Sequence, residues 1–155
     1  HIITHTMLDT TMADEHNQPR QTDTTQHIHT LPNMQTTYLV LTRGDTTSDI
    51  ATKGAKVTVH AVGRLKEDQK TFWTTRENTR TSMVRPFTYT AGEGLIRGWD
   101  AACLGMHVGE TRKLTIPPAE GYGERGYPGF GIPPGATLDF EIEVLKIQGG
   151  AKSEL

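Results

Sequence analysis

At 155 residues, 34% hydrophobic and 22% charged, the chain carries enough apolar material for one modest domain with tails, and two full domains would be a tight fit. Cys103 is the single cysteine, which excludes an internal disulfide and a cysteine-based zinc site, and the formal net charge of -2 offers no electrostatic attraction to nucleic acid or an anionic membrane. No apolar run approaches the ~18 residues of a membrane span and no basic-then-apolar leader opens the chain, so a cytoplasmic or nuclear location is expected.

Residues 1–34 are rich in Thr, His, Asp, Asn and Gln and follow neither a strand nor a helix period. Such a segment cannot bury enough to fold alone and is expected to be a disordered polar lead. It opens with His1, with Met7 and Met12 close behind, and is expected to be in part an expression tag. From there the pattern changes. Tyr38-Leu39-Val40-Leu41 is β-prone and ends at a turn-like Thr42-Arg43-Gly44-Asp45. Val57, Val59 and Ala61 alternate with Thr58, His60 and Val62 up to Gly63, which suits a strand with one face on a core. Pro86 to Thr90 alternates with Phe87 and Tyr89 on one face, and Thr111 to Ile116 alternates until Pro117-Pro118 stops it.

One helix is predicted over about residues 94–106, where Leu95, Trp99, Ala102 or Cys103, and Met106 recur at helical spacing. A helix this short depends on packing, with Trp99 as its largest contribution. The last strand has the clearest alternation, Leu138, Phe140, Ile142 and Val144 against Asp139, Glu141 and Glu143, so one sheet face is expected to be wet. Residues 149–155 are small and polar and read as a flexible tail, leaving 35–148 as the domain. Strands joined by turns, with one helix to cover an apolar face, define an α+β fold with a mostly antiparallel sheet.

The usual catalytic signatures are missing. There is no Gly-x-Ser-x-Gly, His-Glu-x-x-His, phosphate loop or dinucleotide fingerprint. Cys103 sits between Ala102 and Leu104 and reads as packing. His60 and His107 have no triad partners, and the histidines of the lead (His1, His5, His27, His29) lie where no fixed coordination geometry is expected, so neither metal nor cofactor is expected. What does stand out is residues 120–136, where Tyr122, Tyr127, Phe130 and Ile132 are interspersed with glycines and prolines. An ordinary solvent loop would be more polar, and a binding loop overhanging an aromatic pocket accounts for the pattern, as does a surface connection clipped down by Tyr122 and Ile132.

Val59-His60-Ala61-Val62-Gly63, Pro86-Phe87, Gly94-Leu95-Ile96-Arg97-Gly98-Trp99-Asp100, Gly121-Tyr122-Gly123 and Ile132-Pro133-Pro134-Gly135-Ala136-Thr137-Leu138 occur in this order, and over about residues 35–148 the chain resembles an FKBP-type peptidyl-prolyl cis-trans isomerase, a macrolide-binding immunophilin. The resemblance implies a twisted antiparallel sheet of four to six strands wrapped around one short helix. It also implies a rotamase that assists protein folding through a pocket for proline-containing peptides and for macrolides such as tacrolimus and rapamycin, with no cofactor. By the same resemblance Trp99 is the indole floor, Phe72, Phe87 and Phe140 are the walls, and Leu95, Ile96 and Ile132 are the aliphatic lining. Tyr122 is the hydroxyl donor, the Ile96 N–H is a second donor, and Tyr127 and Phe130 lie in the loop above; the resemblance makes Trp99, Tyr122, Phe72, Phe140 and Ile96 catalytic, and Phe87, Leu95, Ile132, Ala61, Trp73, Tyr127 and Phe130 substrate-binding.

Two positions depart from the family pattern. Ala61 stands where a tyrosine is usual, and Trp73 where an aspartate is usual, so a pocket acceptor becomes a donor-only indole. The expectation is that Trp73 fills volume left by Ala61 and changes macrolide affinity, with activity reduced. The alternative is a non-catalytic module, holding proline-containing segments or acting as a chaperone. A monomer is expected. The terminal Lys-Ser-Glu-Leu is an imperfect match to a retrieval signal and is given little weight.

Overall fold

The alternating segments pair into one antiparallel sheet. In the computed structural model, which describes residues 27–80 and 82–153, it has seven strands: β1 (His29–Thr30), β2 (Thr37–Thr42), β3 (Lys56–Leu65), β4 (Thr71–Thr74), β5 (Phe87–Thr90), β6 (Thr111–Ile116) and β7 (Leu138–Gln148). Their order is β1-β2-β6-β7-β3-β4, with β5 paired to the part of β3 that β4 leaves free. The long strands β3 and β7 form the spine, in register from Leu65 opposite Leu138 to Lys56 opposite Gln148, with a bulge at Thr58–Val59. The α+β reading holds, with more strands than the pattern suggested. β1 is only two residues long, and β4 is a four-residue strand whose Thr-Phe-Trp-Thr sequence gives too short a period to detect.

Burial follows the alternation. Val57, Val59 and Ala61 of β3 and Ile142 and Val144 of β7 are buried with Leu114 and Ile116 of β6, while Thr58, His60 and Val62 are only partly covered. Asp139 departs from the expected wet face. It is buried, and accepts hydrogen bonds from Gln69 Nε2 (3.0 Å) and Thr115 Oγ1 (3.2 Å), which satisfy its carboxylate.

The helix α1 (Arg97–Ala102) is shorter than the apolar spacing predicted. Gly94 takes φ +96 and Ile96 is extended (φ -71, ψ 152), so the first turn cannot begin earlier. At the other end Gly105 takes φ +89 and its N–H bonds Ala51 O (2.8 Å). Leu95 and Met106 therefore reach the core side from loops rather than from the helix. The carbonyls at the end of α1 are satisfied by Arg112, a buried residue of β6 whose Nη1 donates to Ala102 O (2.7 Å) and Leu104 O (3.0 Å). Its Nε donates to Glu110 Oε2 (2.6 Å) and its guanidinium stacks 4.2 Å from the Tyr38 ring centroid.

Both tails differ from the expected boundaries. Residues 1–26 lie outside the described residues, but β1 falls within the polar lead because His29 stacks on Tyr38 (4.6 Å) and the backbones pair. At the far end Ala151 bridges Ile50, Lys152 Nζ lies 3.2 Å from Asp49 Oδ1, and Ser153 Oγ donates to Thr46 O, so residues up to 153 are tied down.

The segment entering β2 makes a second buried tie. Thr36 N–H and Oγ1–H donate to Glu120 Oε1 (2.8 and 2.5 Å), and Gln35 N–H donates to Oε2 (2.9 Å). Burial disfavours the Glu120 charge, but the Thr36 hydroxyl, the two backbone donors and Arg97 outweigh it and hold the carboxyl below its usual range. A carboxyl lowered on folding stabilises the protein fully above its unfolded-state pKa, and that contribution is lost as pH falls through the folded-state pKa. Glu120→Gln is therefore expected to cost about 1–2 kcal/mol at pH 7. The cost should shrink steadily below about pH 4. Urea denaturation of both proteins at the two pH values checks this, and an equal cost at both would contradict the clip.

Candidate functional site

Gly63 is where the site begins. A Cβ there would lie 2.7 Å from both Phe140 Cε1 and Phe72 Cζ, so its bare backbone lets those two rings meet edge to face at 5.6 Å. Phe72 and Trp73 are neighbours on β4, yet both border the same cavity, at an edge where the register shifts between Gly63 and Arg64. Opposite them, α1 sets Trp99 against the sheet, 3% exposed. Its indole meets Phe140 at 5.1 Å, Tyr89 at 5.6 Å, Trp73 at 6.2 Å and Phe87 at 6.3 Å, all steeply inclined. Trp73 and Phe87 close the ring of contacts at 5.5 Å.

The result is a cavity of about 460 Å³ lined by Phe72, Trp73, Phe87, Gly94, Leu95, Ile96, Trp99, Tyr122, Phe130, Ile132 and Phe140. Two of the polar groups at this lining, the Ile96 N–H and the Tyr122 hydroxyl, come from different elements. Ile96 precedes α1 in extended conformation, and Leu95 N–H is tied to Asp100 Oδ2 (3.2 Å), which folds this corner back on the helix. The Ile96 N–H donates to no acceptor among the described residues. Tyr122 stands in the loop after β6, where burial, and then the neighbouring Tyr127, raise its phenol above the ordinary value and keep it a donor.

That loop is built, not slack. Tyr127 N–H bonds Ile132 O (2.9 Å) and Ile132 N–H bonds Tyr127 O (3.1 Å). Gly126 permits this closure, with φ +68 and space so tight that a Cβ would collide with Ile132 O and the Pro133 backbone. Tyr122, Tyr127 and Phe130 stack in a ladder at 5.3 and 5.2 Å.

The structure thus brings together Phe72, Trp73, Phe87, Leu95, Ile96, Trp99, Tyr122, Phe130, Ile132 and Phe140. Two anticipated residues fall outside the lining. Ala61 is fully buried in β3, where a single methyl is too short to reach the cavity, and its N–H is held by Thr75 Oγ1 (2.9 Å). Tyr127 is 43% exposed and supports Tyr122 and Phe130 from outside. Trp73 packs its indole on Phe87 and Trp99. Gly94 borders the cavity and was missed. The left-handed φ it adopts is the physical reason for the Gly-Glu-Gly turn that could have signalled it.

Other nucleophile and ligand candidates stay apart from the cavity. Complete burial pushes the Cys103 thiol up to about 12, which leaves it unreactive at neutral pH. His60 Nδ1 is hydrogen-bonded to Thr75 Oγ1 (2.8 Å), and His107 lies 3.8 Å from Glu110. Within the described residues no group of three or more His, Cys, Asp or Glu could hold a metal ion.

Residues 48–145 match the family model of FKBP-type peptidyl-prolyl cis-trans isomerase. The chain is 41% identical over 99 residues to peptidyl-prolyl cis-trans isomerase FKBP12 of Vicia faba, covering 62% of this chain and 85% of that protein. It is 46% identical over 105 residues to FK506-binding protein 2 of Emericella nidulans (67% of this chain, 73% of the relative). To peptidyl-prolyl cis-trans isomerase FKBP2 of Mus musculus it is 44% identical over 104 residues (66% and 68%). A short helix seated by its tryptophan on an antiparallel sheet, a cavity of aromatic walls, and a family match over residues 48–145 lead to one conclusion: the chain belongs to the FKBP-type family and is a peptidyl-prolyl cis-trans isomerase.

Proposed function

We propose that the cavity holds the proline ring of an X-Pro segment on Trp99, between Phe72, Phe87 and Phe140, and accelerates rotation about the preceding bond. The supporting observation is the position of Trp99, steadied by four aromatic rings at the base of an apolar cavity that the Ile96 amide and the Tyr122 phenol border.

Rotation must overcome a barrier of ~18–20 kcal/mol set by amide resonance, while the two ends differ by about 0.5–1 kcal/mol. Only the barrier needs lowering. A twisted imide has less carbonyl-to-nitrogen charge separation than the planar one, so a dry aromatic site favours it over the ground state without nucleophile, metal or cofactor. The Ile96 N–H and the Tyr122 hydroxyl anchor a substrate carbonyl, and Leu95, Ile132 and Phe130 exclude water around it. At ~1.4 kcal/mol per tenfold, several kcal/mol of such preference yields a useful enzyme.

Trp73 favours a second reading, a module that holds proline segments with little turnover. Its donor-only indole occupies a wall where the family pattern has a carboxylate acceptor. Macrolides remain proposed ligands, weakened for the same reason. The cavity is complete within one chain, which supports a monomer, and no helix of the described residues is long and apolar enough to cross a membrane. Protein folding in the cytoplasm or nucleus is the setting we propose.

Magnetisation-exchange NMR on a short X-Pro peptide tests the mechanism. Trp99→Leu is expected to lower the catalysed exchange about tenfold or more while the fold persists, and Trp73→Asp to raise it severalfold. Exchange left unchanged by the parent protein, with peptide peaks that still shift on titration, would establish the binding-module reading.

Calorimetry with tacrolimus examines Trp73 separately. Restoring a pocket acceptor in Trp73→Asp should tighten binding by about tenfold. A low-nanomolar Kd in the parent protein would count against any loss at this position.

The pH profile of kcat/KM is a further check. Among the described residues Tyr122 is the only ionisable side chain lining the cavity, and its pKa is raised. The profile is expected to be flat from about pH 6 to 9, whereas a bell shape would reveal a general acid or base that this mechanism does not contain.

A further inference from the structure

A second cavity, of about 230 Å³, shares two walls with the first, Trp73 and Phe87. Those rings meet edge to face, so they separate the two spaces as a partition rather than filling either. The remaining walls come from the connection between β4 and β5, chiefly Thr75, Ser82, Met83 and Arg85.

This connection is anchored by its own hydrogen bonds. Ser82 is buried, its Oγ accepts from Thr74 N–H (3.1 Å), and its carbonyl accepts from Thr79 N–H (2.9 Å). Arg85 N–H bonds Thr75 O (3.0 Å) and Val84 N–H bonds Asn78 Oδ1 (2.9 Å). On this frame Met83 stands 66% exposed, an apolar surface that the fold itself does not use.

The charge at the cavity is also unused. Arg76, earlier in the same connection, is paired with Glu143 (2.5 Å). Arg85 is exposed, and among the described residues no carboxylate lies within ion-pair distance of it. An exposed guanidinium beside an apolar trough matches a side chain with an aliphatic stem and an anionic end.

We propose that this second cavity is a specificity subsite for an acidic residue flanking the substrate proline. The proposal rests on the reading of the larger cavity as the proline site. Consecutive Cα atoms are about 3.8 Å apart, so a chain seated with proline on Trp99 and leaving across the partition places its neighbouring side chain in the smaller space. Glutamate would lay its methylenes on Trp73 and Met83 and its carboxylate on Arg85. Lysine there would meet like charge.

Peptides that carry Glu, Gln or Lys immediately before the proline, and a second set with the same residues immediately after it, test the proposal by magnetisation-exchange NMR at low salt. In one of the two sets Glu is expected to exceed Lys in kcat/KM by about threefold, as for an exposed ion pair, and the preference should collapse near 0.5 M salt. Arg85→Glu should reverse the order. A purely structural role for Arg85 would lower all peptides together and leave the ratio unmoved, and that result would overturn the subsite. The same peptides titrated by chemical shift separate the two readings. A Glu-over-Lys binding order that reverses in Arg85→Glu supports the subsite even without turnover. Turnover of every peptide with no charge order in either set removes the subsite and leaves the isomerase intact.

Discussion

Everything in this fold that concerns the cavity depends on the seating of one indole. A six-residue helix has too few hydrogen bonds to persist alone, so α1 exists because Trp99 is buried against the sheet. Losing so large a buried ring costs about 3–5 kcal/mol in typical cores, a substantial part of a domain's whole stability. The same ring is the cavity floor. Core and site are therefore not separate regions here, and the edges of Phe140, Tyr89, Trp73 and Phe87 that hold the indole are also what a ligand would meet or lie beside.

Trp99 sets the depth of α1, but polar ties set its position along the sheet. Arg112 binds the carbonyls at its C-terminal end, and Glu110 neutralises that buried guanidinium. At the other end Gly98 faces Ile116 and Thr36 so closely that a Cβ would lie 2.6 Å from Ile116 Cγ2 and 2.7 Å from Thr36 Oγ1. Thr36 in turn is held by Glu120, two residues before Tyr122. One buried threonine thus connects the turn that presents the Ile96 N–H to the loop that presents the Tyr122 hydroxyl. A shift in either would move the two donors relative to each other, and a bound carbonyl tolerates little of that, because hydrogen bonds weaken steeply with geometry.

How much of this the sequence reveals depends on the length of each regularity. β6 and β7 alternate for six residues or more, and the apolar period shows which of their faces meets the core, except at the buried Arg112 and Asp139, while β7 runs on past Val144. β4 carries Phe72 and Trp73 but is four residues long, and no period could expose it; the family pattern placed those residues where spacing could not. The helix was overextended because Leu95 and Met106 satisfy a 3.6-residue spacing from loops, and only the positive φ of Gly94 and Gly105 shows where winding stops. Arg112 and Glu120 were invisible for another reason. Each is a charged residue that sequence assigns to a surface, and each is buried by partners distant in the chain. Ala61 and Tyr127 were assigned to the cavity by position in a motif, and side-chain length and loop geometry place them just outside it.

Trp73 connects these observations. A carboxylate at this edge would be solvated and would offer an acceptor to the cavity; an indole must find rings to pack on, and it finds Phe87 and Trp99. Packing there adds apolar contact to the floor. It also raises a partition, and a partition has two sides. The face turned away from Trp99 becomes a wall of the space that Met83 and Arg85 enclose. On the proposed reading, a charge outside the aromatic cavity, one residue along the substrate, carries the selectivity in this chain.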